Sequence, residues 1–236
     1  MFESAIIEKI IGYEFADKSL LQRAFTHSSF SDYSYERLEF LGDSILGCVV
    51  ADYLFSNYKD FDQGTLTLIR ANIVDKPPLV RVIKSLNLNR YMLLGKGEIQ
   101  NNLQNSNKLC GDLFESIVGA IYMDVESNVQ NVNTSECNGY SMAKKFILAN
   151  LEQTIIQSAK NHSTLIDYKS KLYDYCQKNR ISVEFKSIQT GHSNEAIHTV
   201  KLYLDDVEVS SASATRKKEA EQTASRIAFN QLKSSL

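Results

Sequence analysis

The sequence predicts a mainly α amino-terminal domain over residues 1–156, a linker at 157–164, and a small α+β domain of order α-β-β-β-α over 165–236. Three observations lead there. Apolar residues recur at helical spacing through the first two thirds of the chain, where alternation is scarce. Beyond residue 180 the period changes to two. The stretch between is polar and has no period. At 236 residues the chain can bury one sizeable core and a small second one.

In chain order, 4–11 and 18–25 read as short helices, and a Ser-, Asp- and Tyr-rich stretch follows up to Tyr35. In the next helix Leu38, Leu41, Ile45, Val49 and Tyr53 recur on one face, which marks it as largely buried. Pro77 and Pro78 suit the start of a helix that runs to Leu86, because the first turn needs no internal donors. Ile117, Val118 and Ile121 mark a second buried helix in 110–122. Residues 124–141 are rich in Asn and Ser and read as an exposed loop, with a helix at 142–156 after it. In the second domain a helix at 168–177 precedes strands at 181–185 and 198–204. Asp205-Asp206 supplies a turn, 207–211 returns as a third strand, and 216–232 closes the chain as a helix.

Both buried helices carry acids along an edge. Glu36, Glu39 and Asp43 fall within about 60° of one another around the first, and Asp112 and Glu115 are similarly close on the second. Carboxylates at the edge of a buried face repel one another and lose hydration, so they need cations or hydrogen bonds to stay ionised. A hard divalent ion such as Mg²⁺ meets that need and keeps water positions open for a phosphate. The same acids also read as a solvated stripe partnered by Arg37 or a neighbouring lysine. Gly47 and Gly119 lie one turn beyond the acids, and each costs about 1 kcal/mol against alanine inside a helix, which suggests close helix approach at those points.

A hydrophobic content of 43% and a charged content of 23% are those of an ordinary soluble globular chain. Apolar runs such as 45–50 are too short to span a bilayer, and Glu3 and Glu8 occupy an amino terminus that a signal peptide would make basic and apolar. The default compartment is therefore the cytoplasm, with no membrane partner. Cys48, Cys110, Cys137 and Cys176 form no CxxC pair, which argues against a zinc site and a disulfide framework. A net charge of −2 does not exclude nucleic acid, since acids gathered in one site offset cations placed elsewhere.

The run 36–46 (ERLEFLGDSIL) is very similar to the signature of the ribonuclease III family, and 110–122 (CGDLFESIVGAIY) resembles its second acidic motif. The likeness extends to 25–29 (FTHSS), to 94–98 (LGKGE), and to a carboxy-terminal segment resembling double-stranded-RNA-binding domains, so it covers nearly the whole chain. It implies an endoribonuclease that hydrolyses phosphodiester bonds of double-stranded RNA, leaving 5′-phosphate and 3′-hydroxyl ends and serving ribosomal, messenger or small-RNA processing. No small-molecule substrate is implied. It further implies metal ligands Glu39, Asp43, Asp112 and Glu115, with Asp43 and Glu115 catalytic, Glu36 an accessory carboxylate, Mg²⁺ the cofactor with Mn²⁺ a substitute, and a homodimer with Glu98 near its interface. A non-catalytic RNA-binding relative is the alternative, although such relatives typically lose cluster carboxylates.

RNA contacts implied by the likeness fall in three places: Ser170, Lys171 and Asp174; the loop with Gly191, His192 and Asn194; and Arg216, Lys217 and Lys218 at a helix start, where cations join free backbone N–H groups. Recognition would follow A-form shape more than sequence. The chain departs from the family's pattern at Gln63, often a glutamate; at His192, usually proline; at Asn194, usually histidine; at Arg216, commonly serine; and in the length of 124–141. Lys108 is a candidate phosphate contact, and His27 fits a cap or a hydrogen bond within the fold better than a general base.

Overall fold

The computed structural model describes residues 2–128, 138–191 and 196–234. It divides into two compact units, Met1–His162 and Ser163–Leu236. In the first, helices α1 (Ser4–Ile11), α2 (Lys18–Ala24), α3 (Glu36–Asn57), α4 (Gln63–Val74), α5 (Lys76–Ser85), α6 (Lys96–Gln100), α7 (Asn107–Asn128) and α8 (Gly139–Lys160) follow one another.

The core organises around α7, which is buried on every side from Leu109 to Ile121, the polar Asp112, Glu115 and Ser116 included. Helices α2, α3, α5 and α8 pack on it. Leu38, Ile45, Leu46 and Val49 of α3 meet it from one side, while Phe146 of α8 sets its ring 5.4 Å from that of Phe114. Carboxylates fix several helix starts: Asp62 accepts from the Thr65 amide, and Asp75 from the Lys76 amide. Pro77 and Pro78 lie in the first turn of α5, where their missing donors cost nothing.

Glycines decide how closely α3 and α7 approach, but one of them is not the expected residue. A Cβ on Gly42 would stand 2.7 Å from the Glu115 carbonyl carbon, and one on Gly119 would stand 3.0 Å from the Leu38 carbonyl carbon. Gly47, expected at such a contact, has nothing within 4 Å of a Cβ. Five residues beyond Gly42, it is turned about 140° away from that glycine around the helix.

Three other boundaries differ from the sequence reading. Asp124, placed in a loop by composition, is a buried residue of α7 that accepts from the Tyr13 hydroxyl and the Ala16 and Asp17 amides. Helix α8 begins at Gly139 under a capping box of Asn138 and Ser141, so both ends of the supposed 124–141 loop are ordered, and 129–137 lie outside the described residues. Helix α8 also runs to Lys160 instead of 156, since Ile155 and Ala159 continue its buried face through the first half of the supposed linker.

Helix α9 (His162–Leu165) begins on the last residue of the first unit, and the second unit continues with α10 (Tyr168–Asn179), β1 (Val183–Thr190), β2 (Ile197–Leu204), β3 (Val207–Ala214) and α11 (Lys217–Ser234). The strands form an antiparallel sheet of order β1-β2-β3, with a bulge at Leu202/Tyr203. Asp205 and Asp206 both have positive φ, as a tight two-residue hairpin demands. Leu172 and Cys176 of α10 and Ala220, Ala224 and Ala228 of α11 pack on Val200 and Leu202. The alanine row, four residues apart, lets α11 lie close to the sheet, where the Ser210 hydroxyl donates to the Ala224 carbonyl at 2.8 Å.

Candidate functional site

The Gly42–Gly119 crossing puts the acid-bearing turns of α3 and α7 against each other. Glu39 from α3, half-buried, then meets Asp112 and Glu115 from α7, which are 1% and 7% exposed, with one oxygen of each within 4.8 Å of the others. Asp43, one turn on and exposed, lies outside this triad, but its charge is felt at Glu115. Glu36, also exposed, flanks the cluster on the side of Tyr35.

The electrostatics are those of crowded carboxylates out of water. Burial pushes the Glu115 carboxyl up to about 7; the Lys76 cation opposes this, while Asp43, Glu39 and Asp112 add to it. Burial, then the Asp112 charge, also raise Glu39 above the usual carboxylate range, against the pull of Lys76 and Lys108. Such a site favours a divalent cation, because each carboxylate brought near it gains an opposite charge in place of a like one.

Sequence reasoning missed two members of the site. Lys76, the first residue of α5, donates from Nζ to Asp112 Oδ1, and that bond and the charges of Asp112, Glu115 and Glu39 hold its ammonium above its usual pKa despite burial. Tyr35, only 3% exposed, hydrogen-bonds Asp112, and burial first, then Asp112, Glu39 and Glu36, raise its phenol. Tyr35 immediately precedes the first turn of α3, so its nearness to the acids is local in sequence. Lys76 is remote in sequence and had no local signal.

Other singled-out residues sit apart. Lys108 is exposed, close enough to act on Glu39. His27 uses Nδ1 on Ser29, 2.8 Å from its hydroxyl and 3.1 Å from its amide, and its ring faces Tyr35. Gln63 opens α4, donates to the Thr67 hydroxyl at 3.2 Å, and lines a groove with Phe55 and Leu66. Glu98 lies half-buried in the first turn of α6.

In the second unit Ser170, Lys171 and Asp174 are exposed on one face of α10. The Ser170 hydroxyl is engaged with the capping carboxylate of Asp167 at 2.9 Å. Arg216, Lys217 and Lys218 are all exposed at the start of α11, with Arg216 3.8 Å from Glu219. Gln222 ties the two helix starts together, accepting from the Tyr168 amide at 2.9 Å and donating to Asp167 at 2.6 Å. That brace was not foreseen. Gly191 has φ +90°, and its loop neighbours His192 and Asn194 lie outside the described residues.

Comparison with known proteins matches both units. The family pattern described as Ribonuclease-III-like fits residues 17–136, and the double-stranded RNA binding motif fits 168–232. Ribonuclease 3 of Protochlamydia amoebophila is 35% identical over 98% of this chain and 92% of its own length. Ribonuclease 3 of Listeria innocua is 33% identical over 96% of both. The crystal structure of the nuclease domain of ribonuclease III from Campylobacter jejuni is 34% identical and superimposes with a TM-score of 0.57, covering 65% of this chain and 97% of that one.

Proposed function

The chain belongs to the ribonuclease III family, and on that footing we propose that the cluster on α3 and α7 is its catalytic centre and the second unit its anchor on the substrate. It is an endoribonuclease of double-stranded RNA. The observation that supports this assignment of residues best is the meeting of Glu39, Asp112 and Glu115 within 4.8 Å, in one chain with a double-stranded RNA binding motif.

Glu39, Asp112 and Glu115, with Asp43 beside them, would hold divalent metal, Mg²⁺ with Mn²⁺ as a substitute. The chemistry such an ion would supply there is acidification of a water and neutralisation of charge on the phosphate and the leaving 3′ oxygen, in keeping with 5′-phosphate and 3′-hydroxyl ends. Glu115 and Asp43 are the catalytic carboxylates: the exposed Asp43 reaches substrate and water, while the buried Glu115 holds a fixed position against the Asp43 charge. Glu36 extends the acidic edge as an accessory carboxylate. Lys108 offers an exposed cation to the scissile phosphate beside Glu39.

Ser170, Lys171 and Asp174, the loop of Gly191, His192 and Asn194, and Arg216, Lys217 and Lys218 are the proposed duplex contacts. The active form is a homodimer. Phe40 lies 78% exposed beside Glu39 on α3, which leaves an apolar side chain for a second copy to cover, and a Campylobacter jejuni nuclease-domain structure is described as flexible in a region involved in dimer formation. Among the described residues no helix is long and apolar enough to cross a membrane, and we place the enzyme in the cytoplasm, acting in ribosomal, messenger or small-RNA processing.

Labelled perfect-duplex RNA incubated with Mg²⁺, with Ca²⁺ or with chelator tests the reading. Cleavage in Mg²⁺ alone with 5′-phosphate products is expected; undiminished cleavage in chelator, or 5′-hydroxyl ends, would overturn it.

A further inference from the structure

Asp112 is 1% exposed and, besides the Tyr35 hydroxyl, it is held by an amine of the same chain: Lys76 Nζ donates to Oδ1. The position of this lysine is built from both sides. The Asp75 carboxylate fixes the Lys76 amide at 2.8 Å as the first residue of α5, and α5 packs along α7. On α7 the residue below the lysine stem is Gly111, where a Cβ would come within 2.6 Å of Lys76 Cδ. Gly111 thus leaves a slot through which the stem reaches the acids. The side chain is still 40% exposed, so rotation about its own bonds carries the ammonium out to water with no movement of helix.

Three carboxylates that each bring an oxygen within 4.8 Å of the others leave room between them for a single cation, and the ammonium of Lys76 already holds an oxygen of one of them, Asp112. A dication entering that space also repels it. We propose that Lys76 is a resident counter-ion which holds the metal-free cluster together and is displaced from Asp112 when a divalent ion enters, so that this lysine sets the metal concentration at which the nuclease becomes active. Lys76 is a positioning residue that acts through Asp112. The proposal rests on the metal reading above and adds to it a competitor within the chain.

Full-length wild type, Lys76→Met and Lys76→Arg would be compared by calorimetric titration with Mn²⁺ and by thermal unfolding in chelator. If the paired form is populated about ten to one, Lys76→Met, which keeps the stem and loses the charge, binds Mn²⁺ about tenfold more tightly, because only the unpaired fraction of wild type is competent. Its metal-free form melts lower and its melting temperature rises further with Mn²⁺, whereas Lys76→Arg stays near wild type. Amine acetylation of the wild-type protein, read at Lys76 by mass spectrometry, needs no variant to fold and is expected to quicken several-fold in saturating Mn²⁺. Equal Mn²⁺ affinity in wild type and Lys76→Met, or an acetylation rate unchanged or slowed by Mn²⁺, overturns the counter-ion role and leaves the metal site standing. Absence of any Mn²⁺ uptake by wild type overturns both.

Discussion

Substituting Gly42 by alanine strikes the helix contact that sets the geometry of the carboxylate cluster. The new Cβ would stand 2.7 Å from the Glu115 carbonyl carbon and 3.0 Å from the Gly119 nitrogen, where ordinary contact begins near 3.4 Å. Both neighbours are backbone and cannot rotate aside, so α3 and α7 must part by at least 0.7 Å, the shortfall at the carbonyl carbon. Overpacking of this kind costs about 1–3 kcal/mol, and the helix preference of alanine over glycine returns up to about 1 kcal/mol. A net loss near 1–2 kcal/mol lowers the melting temperature by about 2–8 °C for a unit of this size. The separation also carries Glu115 away from Glu39, and since a misplacement of about 1 Å can cost 100-fold in rate, cleavage should slow by about 10- to 100-fold. Gly47→Ala is the control: with nothing within 4 Å it should gain up to about 1 kcal/mol and keep its rate. Thermal unfolding and single-turnover cleavage of a duplex at saturating Mg²⁺ read both effects. Wild-type melting and rate in Gly42→Ala would refute the account of the crossing.

Glu115→Gln, nearly isosteric but neutral, should slow cleavage by about three orders of magnitude, a loss of about 4 kcal/mol, while duplex binding measured by fluorescence anisotropy survives; near wild-type cleavage would remove Glu115 from the site. The same carboxyl gives a pH signature in chelator: its folded pKa, about 7, lies above its ordinary 4.5, so its stabilising effect is full below pH 4.5 and lost as pH rises through 7, on the order of 3 kcal/mol in all. Urea midpoints at pH 5 and pH 8 should therefore fall further in wild type than in Glu115→Gln, and parallel behaviour of the two would show that Glu115 does not titrate there. Replacing the exposed Lys217 and Lys218 with alanine should weaken duplex binding and flatten log affinity against log salt by up to about two units, with an unchanged slope counting against their contact with phosphate.

Much of the fold was legible because its signals are local. The recurrence of Leu38, Ile45 and Val49, the proline pair at 77–78 and the strand alternation of 198–204 each act within a few residues, and the elements stand where those patterns put them. Errors came where composition was read in place of contact. The Asn- and Ser-rich 124–141 reads as loop, yet Asp124 is held inside by three donors from the segment after α1, a constraint more than 100 residues away in sequence. Helix α4 had no expectation at all, since its boundary depends on the Asp62 cap and not on a strong apolar period.

The acids themselves were legible as angles on two helices, but angles on separate helices do not say where the helices touch. Gly42 and Gly47 both lie on α3 near the acids, and only the crossing distinguishes the one that meets backbone from the one that meets nothing. Lys76 is a harder case, because the reason for its position is divided among the Asp75 cap, the packing of α5 along α7 and the missing side chain of Gly111. None of the three is informative alone. A buried carboxylate cluster read from sequence thus implies a cation without identifying it, and in the folded chain the first cation to reach Asp112 is one that the protein carries itself.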